Sequence, residues 1–510
     1  MPRRLAGHRP VLLGSMPLKQ GRSSGLALLA SFSLLLLTVP AHLWAAGADL
    51  PFGGPNVYAG GLTVLASVAC AYAGVRHHGM SKALLEPFLP VVPVLAIGSL
   101  LAVWATFVYV LADTLLPKRV PQMLLGLGVL FSVYFCVTTA RRAYALVLAI
   151  VLATFVSTIF GFAIAFYGDP FLTIWLQVAD NVRLKTLYEV LTYKRLAGLG
   201  PDPIAFSYQL AVAAPLAFCL VLFGCPRHVR CRRLVDALSS MVLMVMITAM
   251  VANSSRSMIL GVALAAATAS VMYVAEGRAL TRLGVLWSLI AVWLTVFFNP
   301  SLGIHRTIFP SEPHIAVEDR SVLEDAPRGS FEWKLARAYE ALLASNQRLE
   351  FNSRLFKLVD DSTRPRPHMA TAAIRYSLEF PLGTGTYFPS ERHLDVDLDA
   401  TIEYRVLSQG PHNQFLIVLV YYGFPGLILL LAFYWQIVRT AWPAILRSLR
   451  RAPVKPEFFV SAVVAAMIGY TLNSLLHNNG PFVGDWYHFI LIGLVFTLPR
   501  LSGSGNGPKG

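Results

Sequence analysis

The chain has 510 residues, of which 56% are hydrophobic and only 14% charged, with a formal net charge of +15. An average soluble domain carries roughly one quarter charged residues, so this composition excludes an ordinary water-soluble protein and makes the bilayer the first solvent to consider. Nor does the positive charge read as a nucleic-acid surface, because the basic residues gather in short loops between apolar runs.

A helix crossing about 30 Å of hydrocarbon needs roughly 20 apolar residues, and an open backbone cannot span at all, since its unpaired polar groups would be stranded in lipid. Runs free of Asp, Glu, Lys and Arg recur near residues 25–46, 55–75, 87–112, 120–140, 143–168, 203–225, 237–255, 257–275, 284–304, 413–438, 458–476 and 486–499. The fold class expected is therefore all-α, a polytopic membrane protein with about twelve transmembrane helices. The first run follows Arg3, Arg4, Arg9, Lys19 and Arg22 and ends in Ala45-Ala46-Gly47-Ala48, so a cleaved signal peptide has to be weighed. Its length favours a retained helix. Arg76 and Lys82, Arg141 and Arg142, the Arg227 to Arg233 group, Arg278 and Arg282, and the Arg439 to Lys455 group fall in alternate loops, which the positive-inside bias makes cytoplasmic along with the N-terminus.

That topology divides the chain into a cytoplasmic tail (1–24), nine helices (25–304) with an external segment at 169–202, a large external loop (305–412), three further helices (413–499) and a Gly/Ser-rich tail (500–510) expected to be disordered. Acids and bases are nearly balanced in the large loop, as in a folded, wet domain. Leu335, Tyr339, Leu342 and Leu343 give the stretch 331–359 an amphipathic helical spacing, expected to lie over the membrane surface. A second short helix is expected at about 368–380, stopped by Pro381-Leu382-Gly383-Thr384-Gly385. Asp395-Val396-Asp397-Leu398-Asp399 has alternating carboxylates, but a calcium loop would want glycine at 400 and glutamate at 406, where Ala400 and Val406 stand; a solvated acidic turn is the better reading and no metal site is expected. The five cysteines form no CxxC pair and offer neither zinc site nor disulfide framework.

Four groups carry distinctive chemistry. Arg256, in Asn253-Ser254-Ser255-Arg256-Ser257, breaks an otherwise apolar stretch and must occupy a hairpin turn on the external side, against the positive-inside bias. It either snorkels to the interface or binds an anion. Arg195 precedes the sixth helix on the same side, and two such planar, permanently charged forks suit a phosphate or pyrophosphate. His412, in Pro411-His412-Asn413 where the loop enters the tenth helix, is either a cap or a general base; His477, in His477-Asn478-Asn479, has the same look.

Arg195 to Pro203, Ser255-Arg256-Ser257, Ile374-Arg375-Tyr376 through Pro381-Leu382-Gly383-Thr384-Gly385, and Pro411-His412-Asn413-Gln414-Phe415-Leu416 followed by Tyr421-Tyr422-Gly423-Phe424-Pro425-Gly426 together resemble the O-antigen ligase and polymerase superfamily of bacterial inner-membrane proteins. The resemblance covers roughly 190–430. It implies a multi-pass inner-membrane glycosyltransferase, independent of metal and cofactor, that moves a glycan from undecaprenyl pyrophosphate to an acceptor hydroxyl of the lipid A core on the periplasmic side. In that reading Arg256 and His412 are catalytic, while Arg195, Arg375 and Asn413 bind substrate. A polysaccharide polymerase, whose acceptor is another glycan, and ligation of glycan to protein stay open within the same superfamily. A twelve-helix secondary transporter is the alternative of another class, disfavoured because the helix interiors lack ionisable residues.

Overall fold

The computed structural model describes residues 89–111, 119–167, 195–200, 203–224, 232–253, 255–298, 365–385, 411–450, 458–477, 480–483 and 488–503, together with scattered positions in 61–69 and 171–190. The first apolar run, most of the second, the amphipathic stretch 331–359, the acidic turn 395–399 and the residues after 503 lie outside the described residues.

Eleven long helices are formed among the described residues: α1 (Val92–Leu111), α2 (Arg119–Cys136), α3 (Ala140–Tyr167), α4 (Pro203–Phe223), α5 (Arg232–Asn253), α6 (Arg256–Ala275), α7 (Leu280–Phe298), α8 (Pro365–Glu379), α9 (Gln414–Arg450), α10 (Phe458–Leu475) and α11 (His488–Gly503). Eight of them are long and apolar enough to cross a membrane, and α2 and α11 are shorter apolar helices. These ten coincide with the third to twelfth apolar runs, so the chain is an all-α polytopic membrane protein. α11 continues to Gly503, past the 499 boundary read from the sequence.

α4 is the axis of the bundle. It packs against α5, α6 and α10, and its side chains are buried almost from end to end. α6 and α10 approach so closely that a Cβ on Gly261 would stand 2.7 Å from the Gly469 carbonyl oxygen, and one on Gly469 2.5 Å from that of Ala211 in α4. Small residues at such crossings let helix backbones meet where lipid supplies no hydrophobic drive for association. Large apolar side chains face outward instead: Leu100, Val103, Phe107 and Val110 on α1, and Val285, Leu289, Val292 and Val296 on α7 are all exposed. In water these would be a liability; in a bilayer they are the solvent-facing surface.

The tenth apolar run departs from the single crossing expected of it. α9 is broken at Gly423, which holds φ 66° and ψ −167°. On a straight helix Gln414 and Tyr434 would stand about 30 Å apart, yet the Tyr434 hydroxyl donates to Gln414 Oε1 at 3.2 Å and the Phe415 and Tyr434 rings lie 5.6 Å apart. The chain therefore doubles back: a first limb, 414–422, runs alongside the second, 424–450, which is the membrane-crossing one. The local sequence permits it. A left-handed φ at 423 requires glycine, and Gly426 lets Tyr422 lie against the returning limb, where a Cβ would meet the Tyr422 Cβ at 2.3 Å.

The break leaves carbonyls and an N–H without helical partners, and the turn after α8 supplies them. Thr384 N–H donates to the Val420 carbonyl at 3.1 Å, Gly385 N–H to that of Tyr421 at 2.9 Å, and Phe424 N–H to that of Pro381 at 2.9 Å. Gly383 (φ 92°) and Gly423 touch backbone to backbone: a Cβ on Gly423 would stand 2.2 Å from the Pro381 carbonyl oxygen. Gly423→Ala should therefore cost at least the roughly 1–2 kcal/mol of a left-handed L-residue, and more because rigid backbone is in the way. A clear fall in the thermal midpoint of the detergent-solubilised protein is expected; an unchanged midpoint would show that this backbone clasp does not form.

Candidate functional site

The candidate site lies at the end of the bundle where α4, α6, α9 and α11 begin and α5 and α10 finish. Residues 195–200 form a buried stretch there. Gly198 takes φ 58° against Phe206 and Ser157, the Leu199 N–H donates to Ser157 Oγ at 2.9 Å, and Trp175 Nε1 donates to the Gly200 carbonyl at 3.0 Å. Arg195, half-buried, extends from this stretch and donates from Nε to the Asn253 carbonyl at 3.1 Å. Asn253 returns the link, its amide donating to the carbonyls of Leu196 (2.7 Å) and Pro203 (2.8 Å). The Arg195 guanidinium is thus held on the turn that leads into Arg256.

Arg256 is the first residue of α6 and is half-buried, with no hydrogen-bond or ion-pair partner among the described residues. The residue before it, Ser255, stands at the cap position without capping: its hydroxyl makes no bond to the first-turn N–H groups. Instead it contacts His477 Nε2 and Ser257 Oγ, each at 3.2 Å. Ser257 donates to Asn473 Oδ1 at 2.8 Å, and the Asn473 amide donates to Ser207 Oγ at 3.3 Å. This buried chain ties the α5–α6 turn to α10 and α4. Arg256, as the first residue of α6, adds its charge at the positive end of the helix dipole, a combination that favours an anion.

His412 joins this end through the fold-back. Gln414, two residues on, packs against Gly480, whose added Cβ would lie 2.4 Å from Gln414 Oε1, and Gly480 is three residues beyond His477. His412 has φ 48°, the sole positive φ among the described non-glycine residues, and is half-exposed, whereas His477 is buried at 8% exposure. Strained backbone of this kind persists only where its surroundings impose it. Asn413 is the N-cap of α9, its Oδ1 accepting from the N–H groups of Phe415 (2.9 Å) and Leu416 (3.2 Å). Its side-chain oxygen is engaged by the helix, and the side-chain NH2 takes no part in these capping bonds.

Arg375 is not joined to these residues by any contact among the described residues. It is exposed on α8, which packs on α9, and no hydrogen bond among the described residues links it to Arg195 or Arg256. No group of three His, Cys, Asp or Glu side chains gathers among the described residues. The supporting roles of Ser207 and Asn473 went unseen in the sequence, where each reads as an isolated polar residue in an apolar helix, and His477, which reads there as a counterpart of His412, is a buried partner of Ser255.

An all-helical, multi-pass membrane protein with paired arginines and a histidine collected at one end of the bundle is the class that fold and site define. Residues 241–431 match the O-antigen ligase family and so include Arg256, Arg375, His412 and the fold-back of α9. That match places the segment in the superfamily of O-antigen ligase- and polymerase-type glycosyltransferases. Comparison with curated proteins gave no match.

Asn473→Ala should remove the acceptor of Ser257 and the amide donor to Ser207, whose hydroxyls keep Ser255 and the Ile204 carbonyl, at about 0.5–1.5 kcal/mol for each lost hydrogen bond. The expected reading is a lower thermal midpoint with retained membrane insertion. An Asn473→Ala protein as stable as the parent would mean that the turn is not held by this chain of hydrogen bonds.

Proposed function

We propose that the protein transfers a glycan from undecaprenyl pyrophosphate to an acceptor hydroxyl at the periplasmic face of the bacterial inner membrane, with a lipid A core sugar as acceptor. The observation that carries this reading is the Arg256 guanidinium, partnerless among the described residues, at an uncapped helix N-terminus beside Arg195. No nucleotide is available outside the inner membrane, so the donor there must arrive already activated on a lipid. Its pyrophosphate leaving group is a weak base and needs charge neutralisation more than a proton. Arg256 and Arg195 supply permanent charge in a planar fork that matches phosphate oxygens. His412 takes the proton of the acceptor hydroxyl as the bond from the sugar's anomeric carbon to the pyrophosphate oxygen breaks and the new glycosidic bond forms. Arg375 and the Asn413 amide contribute to substrate binding from α8 and from the start of α9.

Buried charge argues against the transporter alternative. Among the described residues the only buried Asp, Glu, Lys or Arg is Glu276, paired with Arg278 at 3.1 Å at the opposite end of the bundle. A coupling site near the bilayer midplane would require ionisable groups within the helices. Ligase and polymerase share this site chemistry and differ in the acceptor. Deleting the gene distinguishes them, since ligase loss leaves free polymer on its lipid carrier and polymerase loss leaves single repeats.

Transfer measured in membranes with purified lipid-linked glycan tests the assignment. Arg256→Lys should already impair turnover, because a point charge does not reproduce the bidentate fork. His412→Ala should insert normally, retain donor binding and lose about 10²- to 10⁴-fold in rate; near-normal turnover would remove the base from the mechanism. For sidedness, a reporter fused after Arg348 should be inactive if it functions only in the cytoplasm, and activity there would overturn the periplasmic placement of the site.

A further inference from the structure

We propose that α8 and the turn after it dock on the surface of the bilayer through Ile374, Leu378 and Leu382. α8 is three-sided. Met369, Ala373 and Ser377 are buried on the side that packs against α9. Ile374 and Leu378, one turn apart, are 46% and 64% exposed, and Leu382 in the following turn is 50% exposed. Arg375 and Glu379, also exposed, form the adjacent stripe one residue further round. An apolar strip between a protein-facing side and a charged side is the pattern of a helix lying at the interface between lipid and water. A water-exposed loop helix would have polar residues at 374 and 378.

The occupant of this strip follows from what it adjoins. The Pro381 carbonyl accepts from the N–H of Phe424, so Leu382 stands next to the start of the second limb of α9. From Phe424 that limb carries an outward stripe of Ile428, Leu431, Trp435, Val438 and Trp442, all exposed. No large apolar side chain of the first limb, 414–422, is exposed in this way. Lipid contact on α9 therefore begins at the fold-back, where the strip of α8 arrives, and the two make one continuous apolar surface. Bilayer lipid, which covers the α9 stripe, covers the α8 strip as well. Docked in this way, α8 holds Arg375 at the level of the headgroup phosphates, where a lipid-linked diphosphate moving in the leaflet meets it before the inner arginines. That last step rests on the transferase reading; the docking does not.

The test uses the full chain in nanodiscs of phosphatidylethanolamine and phosphatidylglycerol, with the native cysteines replaced by alanine. A nitroxide is placed in turn at Ile374→Cys, Leu378→Cys, Leu382→Cys and Glu379→Cys, and its collisions with oxygen and with a water-soluble nickel complex are measured. Docking requires oxygen to dominate at 374, 378 and 382 and the nickel complex at 379. Equal nickel access at 378 and 379 would overturn the proposal. Protection of 378 from both reagents would also overturn it, by showing that another part of the protein covers the strip. Neither result depends on whether the protein transfers a glycan, so the docking and the transferase reading fail separately.

Discussion

A backbone interrupted near lipid must find partners for every N–H and carbonyl that its helix no longer satisfies. Here that requirement is met by a single turn contributed from the large loop, and the arrangement of the site depends on it. Thr384 and Gly385 close the carbonyls at the end of the first limb of α9, while Pro381 accepts from Phe424 at the start of the second. The turn holds the limbs folded together, and Gln414 is thereby set against Tyr434 and Gly480. His412 follows from the fold-back: without it, the nine-residue limb would carry the histidine about 13 Å in another direction.

The two ends of the bundle are chemically unlike. At the end away from the site, arginines are consumed by helix C-termini. Arg142 donates to the Cys136 carbonyl at 2.9 Å, Arg282 to that of Val221 at 2.6 and 3.1 Å, and Arg500 to that of Tyr134. Such pairings neutralise the negative ends of helix dipoles. At the site end, Arg195 still donates to the Asn253 carbonyl at the C-terminus of α5, but Arg256 does not meet a helix end of opposite sign. Arg256 extends the positive end of its own helix. A cation placed against the dipole destabilises the empty site slightly, and a bound anion relieves that opposition.

The ten apolar helices, eight of them long enough to cross a membrane, were legible because a crossing needs only about 20 apolar residues, a signal that hydropathy alone carries. Arg256 and Arg195 were legible because a charge on an apolar hairpin contradicts its surroundings. The fold-back of α9 was not, although Gly423, Pro425 and Gly426 stood in plain view: glycine and proline are tolerated in continuous transmembrane helices, and only the partner turn from another part of the chain decides that this one breaks. In the sequence Asn413 reads only as a substrate-binding residue, and its capping bonds to Phe415 and Leu416 depend on where α9 begins. His477 looked equivalent to His412 because exposure is a tertiary property. Its contact with Ser255 spans residues far apart in sequence and has no local signature.

α4 has a further consequence for assembly. In the finished protein nearly every residue of its span is covered by other helices, so lipid never touches it. Yet its mean hydropathy is 1.9, comparable with that of α6, whose outward face lipid does touch. A helix written only for its final neighbours could carry far more polar groups, as paired networks inside proteins do. During synthesis, however, α4 precedes α5, α6 and α10 in the chain and must rest in hydrocarbon before they exist. Its composition records that earlier environment, and the few polar groups it does carry, Ser207 among them, lie close to its first turn, where partners and water are nearest.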